Sequence, residues 1–143
     1  PATGMVGEVI TSSSITTTSL TTSAADVTGA SLALTPGSWT IYANVSAEYI
    51  TGASASNQGE TRVLITDSSN VTLGTQDKSM RVKTVAAVAN GSITVMSFNT
   101  TVNLSSATTY KLRALKVDTS GTGTGTILNQ SGYYTDFFAV RRA

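Results

Sequence analysis

The sequence predicts an all-β protein, an antiparallel β-sandwich or jelly roll of about eight to ten strands. Three observations predict it. Apolar residues recur at every second position in stretch after stretch, the period of a strand with one face in a core. Gly, Pro, Asn and Ser clusters punctuate those stretches at short intervals. Serine and threonine make up about a third of the chain while charged residues are only 12%, about half the usual fraction; this suits strands whose outer faces are coated with hydroxyls.

The elements follow in order. Residues 5–11, MVGEVIT, read as a first strand, with Gly4 and Gly7 marking a bend where the chain would leave an upstream stalk or capsid anchor. Residues 15–22 have only Ile15 and Leu20 as large apolar side chains, the pattern of an exposed or edge strand. Val27, Leu32 and Leu34 lead into Thr35-Pro36-Gly37-Ser38, where proline presets φ and glycine takes a conformation other residues avoid. This turn reads as a hairpin. After it, Trp39, Ile41, Ala43 and Val45 alternate with Thr40, Tyr42, Asn44 and Ser46 in the longest strand of the chain. Trp39, the only tryptophan, shares the parity of Ile41 and Val45 and is the expected core anchor.

Residues 51–59, TGASASNQG, are small and polar and form the first long loop. Val63 and Ile65 share one face of the next strand, residues 68–70 turn the chain, and Val71 and Leu73 open a short strand. Residues 78–88 alternate only in part. Asn90-Gly91 is the strongest hairpin signal, because both residues tolerate positive φ. Residues 93–103 and 110–117 are clean strands. Residues 119–126, TSGTGTGT, form the second long loop, with no side chain large enough to anchor it. Residues 127–130 read as a short strand. The last strand, within residues 133–142, carries Phe137 and Phe138 and is expected to be central in its sheet.

Composition narrows the function. A chain of 143 residues fits one domain, residues 1–143, with residues 1–11 as its N-terminal strand. The apolar fraction of 40% is enough to fold without staples. A net charge of +1 supplies no basic field for nucleic acid or an anionic membrane, and the cations read as scattered solvated groups. No apolar run approaches the roughly 20 residues that insert across a bilayer. The absence of cysteine removes thiolate nucleophiles and zinc-thiolate sites, and the absence of histidine removes the usual general base.

The 8 carboxylates show no spacing that sets two of them across a sugar cleft, so no catalytic residue is assigned and the chain is not read as an enzyme. Asp67 and Asn70 have oxygens to offer a calcium ion, but a plain turn explains them more simply, so no metal or cofactor is expected. Gly121, Gly123 and Gly125 neither precede a helix nor carry the lysine of a phosphate loop. Trp39, Tyr42, Tyr49, Tyr110, Tyr133 and Tyr134 are the candidates for an aromatic sugar platform. The parity of Tyr42, opposite to that of Trp39, leaves it open as surface, partner contact or subunit interface.

Several motifs occur together in order: Gly4-Met-Val-Gly-Glu8, then Ser31-Leu32-Ala-Leu34, then Pro36-Gly-Ser-Trp39, and a final Ala139-Val-Arg-Arg142. In these the chain resembles the C-terminal β-rich, jelly-roll-like domain of tailed-bacteriophage tail-fibre and related virion surface proteins. The centre (Leu32, Leu34, Gly37, Trp39) is the specific part. The family turn before tryptophan usually reads Ala-Gly-Asp, where this chain has Pro-Gly-Ser. Residues 51–103 do not match the family residue by residue, so no receptor site is carried over.

The resemblance implies a bacteriophage structural protein on the virion exterior, in a tail fibre or on the capsid, assembled as a homotrimer. Its partners would be other virion proteins, a fibre shaft or the major capsid protein. Two roles follow. One is a tail-fibre or spike tip that contacts a host receptor such as a cell-surface glycan, through the loops at Asn57, Gln58, Thr122 and Thr124, because loops on a rigid scaffold carry specificity. The other is a capsid decoration or head-fibre protein that stabilises the major capsid protein lattice.

Overall fold

The computed structural model describes residues 3–51, 58–73, 78–83 and 91–142. Ten strands and no helix occur among them: β1 (Val9–Thr11), β2 (Thr18–Leu20), β3 (Ala25–Leu34), β4 (Gly37–Thr51), β5 (Gln58–Asp67), β6 (Lys78–Lys83), β7 (Gly91–Leu104), β8 (Thr108–Ser120), β9 (Gly123–Leu128) and β10 (Asp136–Arg141). They form two antiparallel sheets. The first is six-stranded, in the order β1-β10-β4-β9-β2 with β7 on the other side of β4; the second has the order β3-β8-β5-β6. The protein is an antiparallel β-sandwich, as the alternation predicts.

β4 is the axis of the first sheet. β7 pairs along it from Gly37↔Leu104 to Ile50↔Gly91. Its other side is shared: β10 takes residues 39–44 and β9 takes residues 46–51. The inner face of β4 presents Trp39, Ile41, Ala43, Val45, Ala47 and Tyr49, all buried. Opposite them lie Leu32, Leu34, Val63, Ile65, Leu112 and Ala114 of the second sheet. Each fully buried Leu, Ile or Val contributes about 1.5–3 kcal/mol. Alanines 43, 47, 114 and 139 alternate with large side chains, which lets the two inner faces interdigitate.

The turn at Pro36 does not close a hairpin. β3 pairs with β8 and β4 pairs with β7, β9 and β10, so the chain crosses between sheets here. Leu32 and Leu34 can then face Trp39 and Ile41 across the core, whereas pairing side by side would leave one shared apolar face uncovered. The predicted strand over residues 5–11 shortens to β1, because Gly4 and Gly7 stand at φ 84° and 85° and fold the preceding residues into turns. Among the described residues Val71 and Leu73 flank only an isolated bridge, between Thr66 and Thr72, and not a strand. Asn90 lies outside the described residues, and the strands on either side of it, β6 and β7, belong to different sheets. The last strand is central, flanked by β1 and β4.

The second long loop is also shorter than expected. β8 runs to Ser120 and β9 starts at Gly123, leaving only Gly121 and Thr122 between them. Gly123 and Gly125 pair with Thr51 and Tyr49 and face inward, while Thr124 and Thr126 face outward. A Cβ on Gly123 would lie 2.4 Å from the Tyr49 hydroxyl, and one on Gly125 would lie 2.9 Å from the Lys116 Cβ. The glycine-threonine alternation is therefore a strand whose inner positions have no room for a side chain.

The two ends of the fold are held together at one pole. Arg141 and Glu8 are not solvated charges but a buried pair, Nε donating to Oε2 at 3.0 Å. The Arg141 guanidinium also donates to the Pro36 carbonyl at 2.7 Å and to the Thr35 hydroxyl. It lies 4.5 Å over the Trp39 ring, whose Nε1 donates to the Thr35 carbonyl at 2.9 Å. Backbone bonds from Gly7 N to Arg141 O and from Arg142 N to Ser38 O close the cluster. Residues 4–8, 36–39 and 139–142, far apart in the chain, thus meet here. The Gly4 amide holds the Glu8 carboxyl below its ordinary 4.5; burial opposes this and Arg141 adds to it.

Candidate functional site

β4 has 15 residues, and at roughly 3.3 Å per residue it carries the fold about 45–50 Å from the Glu8–Arg141 pole to the opposite one. The described residues of the two segments expected to bind, Thr51, Gln58 and Gly59 of the first and residues 119–126 of the second, lie at that far pole. Thr51, the last residue of β4, pairs with Gly123 at the start of β9, and Gln58, the first of β5, pairs with Ser120 at the end of β8. Four strands from both sheets therefore end or begin within one small region.

A partly buried cluster fixes that region. The Tyr49 hydroxyl, from the first sheet, donates to Asp118 Oδ1 of the second at 2.5 Å. Lys116 Nζ donates to Asp118 Oδ2 at 2.8 Å and to the Gly123 carbonyl at 2.6 Å, and the Gly123 amide returns a bond to Asp118 Oδ1 at 3.2 Å. Thr61 of β5 donates to the Glu48 carbonyl of β4 at 3.2 Å, a second tie between the sheets. Burying an ion pair is costly unless its remaining groups are hydrogen-bonded; here the carboxylate has three donors.

Burial pushes the Asp118 carboxyl up, but the bonds from Lys116, Tyr49 and Gly123 outweigh it and hold the group below its ordinary 3.8. The Tyr49 hydroxyl is driven well above the usual phenol range, by burial first and by the adjacent carboxylate second. Asp26 is also held below 3.8, chiefly by Lys111.

The three carboxyl shifts, at Glu8, Asp26 and Asp118, share a sign. A carboxyl depressed in the folded state contributes stability that is complete above its ordinary value and is lost as pH falls through the folded one. The melting temperature, followed by circular dichroism, is expected to be level above about pH 5 and to fall once pH drops below about 4. A melting temperature that stays constant down to about pH 2.5 would contradict the three assignments.

The expected contact residues are placed as follows. Thr122 and Thr124 are exposed, Thr122 in the β8–β9 turn and Thr124 on the outer face opposite Ile50; Gln58 is half-buried. Asn57 lies outside the described residues. The structure brings Gln58, Thr122 and Thr124 to one pole, where they offer an amide and two hydroxyls. The aromatic candidates do not join them. Trp39, Tyr49 and Tyr110 are buried, Tyr42 stacks on Phe138 at 5.0 Å on the outer face, and Tyr133 and Tyr134 are exposed between β9 and β10.

Asp67 serves a turn: its Oδ1 accepts from the amides of Ser69 and Val71 at 2.8 and 2.9 Å, and Asn70 takes φ 65°. Among the described residues no group of three or more acidic side chains is placed to hold a metal ion. Lys116 and Asp118, which form the clamp, are not among the residues the sequence marks as a site. Their signal was available: with Tyr110, Leu112 and Ala114 buried, the same parity carries Lys116 and Asp118 inward.

No protein-family model and no curated protein matches the chain. Solved structures with a similar chain path include the T13 particle of infectious bursal disease virus, with a TM-score of 0.41 at 12% identity over 95% of this chain and 35% of that one. The VP2 subviral particle of the same virus gives 0.40 at 12% identity, over 95% and 36%. This chain spans about a third of the length of those chains. At these TM-scores and this identity neither a fold assignment nor a residue role passes from them to this chain.

Proposed function

We propose that this chain is a non-enzymatic bacteriophage virion module, a tail-fibre or spike tip that holds a neutral host-surface glycan at the pole of Gln58, Thr122 and Thr124. The observation that carries the reading is the polarity of the fold. Residues 3–8 and 141–142 are locked together at one end. The candidate contact residues stand at the other end of β4, on a base clamped by Tyr49, Lys116 and Asp118. A carrier attached near either chain end would hold the domain by the first pole and present the second. Uncharged amide and hydroxyl groups match the hydroxyls of a neutral sugar. The acids Glu8, Asp26, Glu60 and Asp118 each face a cation, which leaves them poor acid–base catalysts and favours a binding role.

The test is binding of the chain to a glycan array and to host cells. The double variant T122K/T124K, at exposed positions, is expected to keep its melting temperature and to bind at least about tenfold more weakly, the loss of one or two hydrogen bonds. Absence of binding by the parent chain, or unchanged binding by the variant, would sink the reading. The Tyr42–Phe138 stack on the outer face favours a second role, a capsid decoration that seats this face on the major capsid protein. Imaging that places the protein on the capsid lattice would select it. The trimer implied by the family resemblance predicts a solution mass that is a multiple of three times the 14.7 kDa of one chain.

A further inference from the structure

We propose that β7 pairs edge to edge with the β7 of a second copy of this chain, antiparallel, across a two-fold axis near Ser97. β7 is bound to β4 along its whole length without a register shift, and no described strand lies on its other side. That side is a row of 14 residues whose outward backbone groups form a template for another strand.

The remaining edges of the sandwich are guarded. β1 and β2 have three residues each. β3 has a register break between Asp26 and Ser31, and its Gly29 and Ser31 carbonyls accept from the Ser12 hydroxyl. β6 carries Lys78, Arg81 and Lys83. Short length, bulges, cover and lysines are the devices that keep edges from pairing. β7, GSITVMSFNTTVNL, has no charge, no proline and no bulge. Its outer face adds exposed apolar side chains, Ile93 and Val95, the latter 63% exposed.

The fitting occupant is the same strand from another copy. Antiparallel self-pairing sets β7 residues opposite one another, and a strand without charge has nothing to repel its own image. Centred on Ser97, the pair puts Met96 against Phe98 on the core side, and Val95 against Asn99 and Ile93 against Thr101 on the outer side. The contact is isologous, so it closes after two copies. It does not depend on what the far pole binds. A three-fold contact joins unlike surfaces, so β7 pairing would double a trimer as it would double a single chain.

The experiment compares solution masses by analytical ultracentrifugation for the full chain and two outer-face variants, with hydrogen exchange over residues 91–104. V95K/N99K sets lysine opposite lysine and is expected to halve the mass and expose β7 amides to exchange. V95K/N99E sets lysine opposite glutamate and is expected to keep the parent mass. Circular dichroism melts confirm that both variants fold. One common mass for all three chains would overturn the inference, leaving β7 unpaired or open to a strand of another protein.

Discussion

Trp39→Ala is expected to destabilise the fold by about 3–5 kcal/mol, the range for removing a buried aromatic side chain. Trp39 is 0% exposed, and its loss does more than open a cavity. The Arg141 guanidinium loses the ring beneath it, the Thr35 carbonyl loses the indole donor, and Glu8 is left paired to a less restrained partner. Against a total stability of about 5–15 kcal/mol, such a loss leaves a measurable unfolded fraction. Denaturant unfolding followed by circular dichroism should show a lower midpoint with an unchanged slope. Trp39→Phe keeps a ring under Arg141 and gives up the indole bond, so its loss should be smaller. A midpoint shift for Trp39→Ala worth less than about 1 kcal/mol would show that the cluster collapses to fill the space.

Gly59→Ala should destabilise by about 1–3 kcal/mol, although alanine suits a strand better than glycine does. A Cβ at this position would lie 2.0 Å from the Tyr49 hydroxyl oxygen and 2.1 Å from the ring carbon that bears it. The ring is buried and tied to Asp118, so it cannot swing away without breaking the far-pole clamp. Tyr49→Phe, which removes only the hydroxyl, should not rescue Gly59→Ala, because the ring carbon still overlaps the methyl. Full rescue would mean that the hydroxyl contact alone excludes a side chain. If the pole is a binding site, the same substitution should weaken binding along with stability.

Most of the architecture was legible from period-two alternation. Trp39, Ile41 and Val45 announce a buried face, and Phe137 and Phe138 announce a strand inside its sheet. What misled was local chemistry read without parity. Gly123 and Gly125 look like flexible linker until Tyr49 and Lys116 are seen to occupy the space a Cβ would need. Arg141 looks solvated by its charge, yet it shares the parity of Phe137 and Ala139 and so enters the core. Pro36-Gly37 is a turn, but turn residues say only that the chain reverses, not whether the strands pair or face each other.

By itself the sequence determined the all-β class, the inner faces of the main strands and the position of the tryptophan. These follow from side-chain alternation, which is local and leaves its mark at every second residue. Only the tertiary structure decided which strands share a sheet, that Glu8 and Arg141 pair beside Trp39, and that Tyr49, Lys116 and Asp118 clamp the far pole. These join residues up to 133 positions apart. No local pattern encodes such meetings, because they arise from how two apolar faces find cover in each other.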